Sequence, residues 1–334
     1  MPWQDMDVTA DDATSPPLAF SGQRLDWRDL PRHVRSRIAE LAGAPVSAEI
    51  GATTGFSPGF AAVLELSDGR QAFVKAVSTE QNPDSPNLSR REIHVARALP
   101  AEVPAPRMLW SDDDGDWVIV AFEVAHGRAP EQPWRSEDLA QVLDALIALA
   151  QVELPFPSLL PRYDEEMATA FTGWRTLLRD PELARIAAAV DAGELGSWAA
   201  AHIDELAVWE QDGLRALSGN ALVHGDLRAD NVILDGPRTW FIDWPHAAQG
   251  APWVDLAFML PSVAMQGGGD PQQIFWSHPS SEGVAPAELR AALAGLAGYL
   301  AAGSFAPAPL GIPNLRAFQR AQAVAALVWL RELS

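Results

Sequence analysis

The sequence predicts an α+β protein in two lobes: a small N-terminal one built on an antiparallel sheet, and a larger one that is mostly helical. Three observations predict this. Between about residues 46 and 125, apolar residues fall in short β-branched and aromatic runs separated by turn signals. Beyond Gly127 they become alanine- and leucine-rich at helical spacing. A chain of 334 residues with 48% hydrophobic content has material for one large or two medium domains.

Residues 1–22, with Asp-Asp and Pro-Pro pairs and few large apolar groups, read as a mobile leader. From Asp26 onward Leu30, Val34, Ile38 and Leu41 recur at steps of four and three before Gly43, which predicts an amphipathic helix. Two apolar runs then flank Asp68-Gly69, a hairpin signal. Ile93, Ala96 and Leu99 share the face of a helix that stops at Pro100. A second strand pair is expected in 105–110 and 116–124, divided by an acidic turn from Ser111 to Gly115. A boundary near 124–130 separates a lobe of residues 23–125 from one of 126–334. Ser136 opens a capped helix there. Further helices are expected in 167–180, 181–193 and 196–217, then a strand pair at 231–235 and 239–244, then helix to the end.

Composition narrows the chemistry. With no cysteine there is no disulfide, no thiolate metal site and no cysteine nucleophile, so a metal must be held by oxygen or imidazole. A formal charge of −20 argues against a nucleic-acid partner, which needs clustered positive charge. It suits cationic or neutral small molecules, and it also serves solubility alone. No stretch approaches the ~20 apolar residues of a membrane span, and acids stand where a signal peptide would be basic, so a cytoplasmic location is expected. The 24 basic residues comprise 23 arginines and one lysine, Lys75. Arginine bias explains the general absence of lysine but predicts arginine at 75 too, unless that place needs a compact ammonium.

The most informative run extends from Leu222 to Leu234 and is followed by Trp240 to Trp244. Asp226 and Asn231 lie five apart in a loop, and Asp243 ends the second of two short apolar strands. A hairpin brings the three to one mouth, an all-oxygen set that suits magnesium and the oxygens of a phosphate.

The order His224-Gly225-Asp226-Leu227, three residues, then Asn231, with Ile242-Asp243 and later Gly250 and Asp255-Leu256-Ala257, resembles the aminoglycoside phosphotransferase family of small-molecule kinases. The resemblance covers about residues 45–330 and implies the two-lobed protein-kinase-like fold, with ATP and Mg2+ as cofactors. It implies that Asp226 accepts or orients the acceptor proton, that Asn231 and Asp243 hold the metal, and that Asp255 accepts backbone N–H groups of the loop. His224 reads as a brace. Lys75 takes the place of the lysine that meets the α- and β-phosphates, and Glu92 that of its carboxylate partner. The turn Gly51–Gly59, with Gly55 within it, passes over the phosphates, and Phe122 to Val124, at the lobe boundary, meet the adenine. Gly225 replaces the arginine that protein kinases use to read an activation-loop phosphate, so no such control is expected.

The acceptor is a small hydroxyl compound. The charge favours an aminoglycoside or amino sugar; a neutral sugar, a choline-like alcohol, a homoserine-like amino acid or a macrolide is the alternative, and a catalytically silent nucleotide-binding module a third. Candidate lining residues are Asp164, Glu165, Glu166, Asp270, Glu282, Glu288, Trp276 and His278, each of which also reads as a solvated helix face or core packing. The sequence carries no signal for oligomeric state.

Overall fold

In a computed structural model, which describes residues 24–51, 58–154, 158–179 and 194–334, the first helix is placed by a proline. Leu30 is extended ahead of Pro31, as the ring of a following proline requires, so helix α1 (Arg32–Ala42) begins later than Asp26. It ends on Gly43 in the left-handed conformation, φ 73°. The expected leader, Gly55 and the helix expected at 181–193 lie outside the described residues.

Around α1 the sheet assembles from β1 (Arg24–Leu25), β2 (Val46–Gly51), β3 (Gly59–Leu66), β4 (Gln71–Ser78), β5 (Met108–Asp113) and β6 (Trp117–Phe122). Its order is β1-β3-β4-β6-β5, with β2 also on β3. Five strands are antiparallel as expected, but β1 pairs parallel to β3, so the sheet is mixed. Two residues are too few for an alternation pattern, and α1 supplies the crossover that a parallel neighbour needs. Strand β5 runs on through Ser111, Asp112 and Asp113, where an acidic turn was expected. Arg37 reaches Asp112 at 2.7 Å and Arg90 holds Asp113 at 2.8 and 3.0 Å, so neighbouring helices neutralise these acids within the strand.

Alternation gives the sheet two different faces. Phe60, Leu64, Val74, Ala76, Ile119 and Ala121 pack with Leu30, Val34 and Ile38 beside α1. The opposite face carries Val77, Val118, Val120 and Phe122 against Ile93 of helix α2 (Ser85–Ala98). Lys75 points to this second face, between Val74 and Ala76 that point to the first.

The helical lobe contains α3 (Ser136–Ala150), α4 (Tyr163–Glu166), α5 (Gly173–Arg179), α6 (Glu194–Ala201), α7 (Ile203–Ala216), α8 (Val254–Met265), α9 (Pro271–Ser277), α10 (Pro286–Ser304) and α11 (Leu315–Glu332), together with β7 (Ala221–Val223), β8 (Val232–Asp235), β9 (Arg238–Phe241) and β10 (Ala248–Gly250). Helix α10 runs through its centre, buried from Leu289 to Ala301 apart from Arg290 and Tyr299, because Ala and Gly admit α5, α7 and α11 at close range. At Gly173 the approach reaches its limit: a Cβ there would lie 1.9 Å from the carbonyl oxygen of Gly298. Fully buried Glu210 of α7 meets the first turn of α5, accepting from the amides of Trp174 (3.0 Å) and Arg175 (3.3 Å), and this satisfies donors the helix cannot bond itself. Among the described residues no helix is long and apolar enough to cross a membrane.

The two lobes meet through α2. Arg91 donates to Glu166 of α4 at 2.5 Å and to the carbonyl of Pro245 at 3.1 Å, and His94 Nε2 lies 3.2 Å from the carbonyl of Leu159.

If the contact of α5 with α10 sets the packing of the helical lobe, Gly173→Ala must displace backbone, not side chain. We expect a loss of about 3 kcal/mol or more, measured by denaturant unfolding, against a change within ~0.5 kcal/mol for exposed Ala287→Ser. Equal stability of the two variants would contradict the packing described.

Candidate active site

The site is built from three segments that are distant in sequence. Lys75 on β4 donates to both oxygens of Glu92 on α2 (2.9 and 3.0 Å) and to Asp243 Oδ1 (2.8 Å), which follows β9. One ammonium thus joins strand, helix and the mouth of the helical lobe. Lys75 and Glu92 are mostly buried, with side-chain exposures of 15% and 6%, while Asp243 retains 30%. Burial alone would raise the carboxyl of Asp243, but the charge and hydrogen bond of Lys75, with smaller contributions from nearby imidazoles, together outweigh it and hold the group at about 2. Burial lowers the ammonium of Lys75 and its two carboxylates more than reverse this, so its pKa is raised. Glu92 is raised by burial, against the opposing charge of Lys75. Two carboxylates on one cation leave an excess negative charge here.

Among the described residues Asp243 is alone in combining a side chain with a positive φ, 66°. Non-glycine residues adopt this conformation at a cost, and it persists where surrounding contacts over-determine it.

The loop carrying Asp226 is pinned from below. Asp255 at the start of α8 accepts from the amides of His224 (2.7 Å) and Gly225 (2.9 Å), the structural part expected of it. Burial raises Asp255 to about 6, with those two bonds opposing. His224 is fully buried; Nε2 faces the carbonyl of Ile242 at 2.9 Å, Nδ1 faces the amide of Asp226 at 3.3 Å, and its ring tilts over Trp244. Burial lowers it to about 4, so it is neutral at pH 7 and serves as a brace. Gly225 needs to be glycine twice over, with φ 82° and only 2.6 Å between a would-be Cβ and the carbonyl oxygen of His246.

Asp226 itself is 31% exposed and Asn231 is buried. The amide nitrogen of Asn231 donates to the Asp226 carbonyl (2.7 Å) and to Asp226 Oδ2 (3.3 Å), which orients the amide so that its oxygen is turned away from Asp226. A carboxylate of Asp243 and an amide oxygen of Asn231 form a hard-oxygen donor pair that fits magnesium together with phosphate oxygens. Among the described residues no group of three or more His, Asp or Glu side chains is placed to hold a metal ion.

Sequence reasoning missed Arg228 and Asp230. Arg228 donates to Asp226 and grips Asp230 with Nε (3.0 Å) and Nη2 (3.1 Å), while its guanidinium stands 5.8 Å from the ring of Phe318 on α11. The signal was the alternation of Asp226, Arg228 and Asp230; the partner on α11 left none in the motif. Enclosure raises Asp226 and the guanidinium of Arg228 opposes it.

The adenine candidates divide. Phe122 lies on the Lys75 face of the sheet, paired in register with Phe73. Val124 instead lines a groove of about 470 Å³ with Ala42, Leu66, Ala72 and Trp110, residues of the α1 side. Strand β6 ends at Phe122, and just beyond it the amide of Glu123 still donates to the carbonyl of Arg107.

Most acids expected to line an acceptor pocket are engaged elsewhere. Asp164 accepts from Arg162 (2.9 Å) and Ser218 (2.8 Å), Glu165 is 3.7 Å from Arg162, and Glu166 pairs with Arg91. Asp270 caps α9 and Glu288 caps α10. His278 Nε2 lies 3.0 Å from the carbonyl of Leu143, and Trp276, 38% exposed, packs edge-on to Phe275.

Solved structures share this arrangement of lobes. A thermostable mutant of aminoglycoside phosphotransferase APH(4)-Ia, in ternary complex with ADP and hygromycin B, aligns with a TM-score of 0.55 at 19% identity, covering 89% of this chain and 98% of that one. Choline kinase LicA from Streptococcus pneumoniae aligns at 0.54 and 14% identity over 89% and 98%. An aminoglycoside phosphotransferase from Alicyclobacillus acidocaldarius aligns at 0.53 and 17% over 91% and 95%. These likenesses establish the two-lobed kinase-like α+β fold. No curated protein matches the sequence at a significant level. Residues 54–305 match the phosphotransferase enzyme family over three quarters of the chain, and the chain belongs to that family.

Proposed function

We propose that the protein is a small-molecule kinase that transfers the γ-phosphoryl group of ATP to a hydroxyl of a small polar compound. The observation that carries this reading is Lys75, the single lysine among 24 basic residues, bonded at once to Glu92 and to Asp243 beside Asp226 and Asn231. A purely structural buried ion pair needs no lysine in place of arginine and no carboxylate at a strained φ. Similarity to a structure that holds ADP supports the nucleotide, and family membership supports phosphoryl transfer.

In this reading residues 23–125 bind the nucleotide, and residues 126–334 carry the catalytic loop and bind the acceptor. Lys75 meets the α- and β-phosphates, Glu92 fixes its rotamer, and Phe122 faces the adenine. Magnesium, held by Asp243 and Asn231, would neutralise phosphate charge. Asp226 receives the proton of the attacking hydroxyl, while Asp255 and His224 keep its loop rigid, because phosphoryl transfer depends mostly on positioning and charge. A catalytically silent nucleotide binder is the weaker reading, since Lys75, Glu92, Asp226, Asn231 and Asp243 are all present and each is hydrogen-bonded to another of the set.

Two outcomes test the assignment. Asp226→Ala should cut kcat by about 10²–10⁴-fold and leave the Kd of Mg-AMP-PNP nearly unchanged, whereas Asp243→Ala should weaken that Kd strongly; isothermal titration with equal loss in both would refute separate roles. Lys75→Arg should be severely impaired in turnover although charge is kept, because a planar guanidinium cannot occupy a point between Glu92 and Asp243. Near-native kcat and KM for ATP, with unchanged Tm, would remove the nucleotide site as drawn.

A further inference from the structure

An ammonium has three N–H donors, and Lys75 spends all three, two on Glu92 and one on Asp243. In the kinase reading, on which this inference rests, a phosphate takes one of those donors, so a partner must give way. Glu92 is carried by α2 within the same lobe as Lys75, whereas Asp243 follows β9 in the helical lobe. Admitting a triphosphate therefore means drawing Lys75 and Asp243, 2.8 Å apart, away from each other, and with them the two lobes.

The register of the sheet shows where the lobes are tied. Phe122, after which the chain crosses into the helical lobe, pairs with Phe73 near the start of β4. Phe60, two residues after Pro58, pairs with Ala76 nearer its end. A second tie is made at that end by the connection between α10 and α11, residues 305–314. Asn82 Nδ2 donates to the carbonyl of Leu310 (2.9 Å), and Gly311 packs so closely on Pro58 that a Cβ there would lie 2.9 Å from the Cβ of the proline. The lobes are thus joined by the chain itself beyond one end of β4 and by this contact beyond the other, with Lys75 between.

Asn82 gives the tie its leverage. It is 3% exposed, and its side-chain oxygen accepts from the amides of Asp84 (2.9 Å) and Ser85 (3.2 Å) at the entrance to α2, the helix of Glu92. The other half of the same amide holds Leu310. On its far side the connection runs into α11, whose Phe318 lies against the guanidinium bonded to Asp226. Arg316 secures that end by donating from Nε to the carbonyl of Pro307 (3.0 Å). The middle is barely covered, with Leu310 62% exposed, and Pro307, Pro309 and Pro313 stiffen it, so it moves as a unit about its ends.

We propose that residues 305–314 form a strap, latched to the N-terminal lobe by Asn82, which must unlatch for nucleotide to enter and leave. A single hydrogen bond with one close contact slows that exchange without preventing it.

The test follows release of the fluorescent nucleotide mant-ADP from the full chain in Mg2+, chased by excess ATP in stopped flow. Asn82→Asp keeps the oxygen that accepts from α2 and puts a second acceptor in place of the donor to Leu310. We expect release about tenfold faster, with Tm nearly unchanged. Pro58→Cys with Gly311→Cys does the converse. It creates the one disulfide possible in a chain without cysteine, between positions whose Cβ atoms, 2.9 Å apart before any adjustment, are within the ~3.5–4.5 Å that such a bond spans. Loaded with mant-ADP and then oxidised, this variant should release it at least about tenfold more slowly than in dithiothreitol. Equal release in the oxidised and reduced forms, failure of the disulfide to form, or release from Asn82→Asp no faster than from wild type would overturn the strap. The kinase reading would then stand, because mant-ADP still binds. A wild-type chain that binds no mant-ADP would overturn both.

Discussion

The structure of the site depends on one ammonium group with two carboxylate partners. Lys75 stands on a central strand, and its bonds to Glu92 and Asp243 determine how α2 sits against the sheet and how the hairpin of β8 and β9 faces the N-terminal lobe. Neither carboxylate is stable there alone. Glu92 is almost fully buried, and a buried acid without a partner loses its charge or its place. Asp243 has a backbone conformation that side chains disfavour, and Lys75 is among the contacts that hold it. Removal of the ammonium would free both.

The same logic extends below the site. The loop from His224 to Asn231 has few backbone partners of its own, so buried side chains provide them: Asp255 from α8, His224 from within the loop, Asn231 across it. α8 is in turn packed by α10 and α11, helices whose small residues permit backbone contact. Precision at Asp226 thus comes from a buried, close-packed lobe. The arginine bonded to Asp226 is held in a comparable way, Arg228 by Asp230.

Sequence revealed what depends on residue type at fixed spacing. Asp226 to Asn231 and Ile242-Asp243 lie within one short hairpin, and Lys75 stood out because arginine was expected there. The hairpin at Asp68-Gly69 and described helices such as Ser136–Ala150 were legible for the same reason, since turn chemistry and apolar period are local, while the single helix expected at 196–217 is two, Glu194–Ala201 and Ile203–Ala216. What was not legible is tertiary. The parallel strand β1 is two residues long, and the acids of β5 stay extended only because Arg37 and Arg90 arrive from other helices. The engagement of Asp164 with Ser218 or of Arg228 with Phe318 cannot be read from any single segment. Net charge pointed to cationic ligands, yet −20 describes the whole surface and not one cleft, and most acids expected to line an acceptor pocket are bonded to arginines or helix ends.

The central claim is that Lys75, Asn231 and Asp243 form one receptor for a metal and a triphosphate. Titration of the wild-type chain with AMP-PNP in Mg2+ and again in EDTA tests it most directly. The account predicts binding tighter by about tenfold or more with Mg2+, since hard oxygen donors and phosphate share the cation. Equal affinity in the two buffers, or no binding in either, would contradict it.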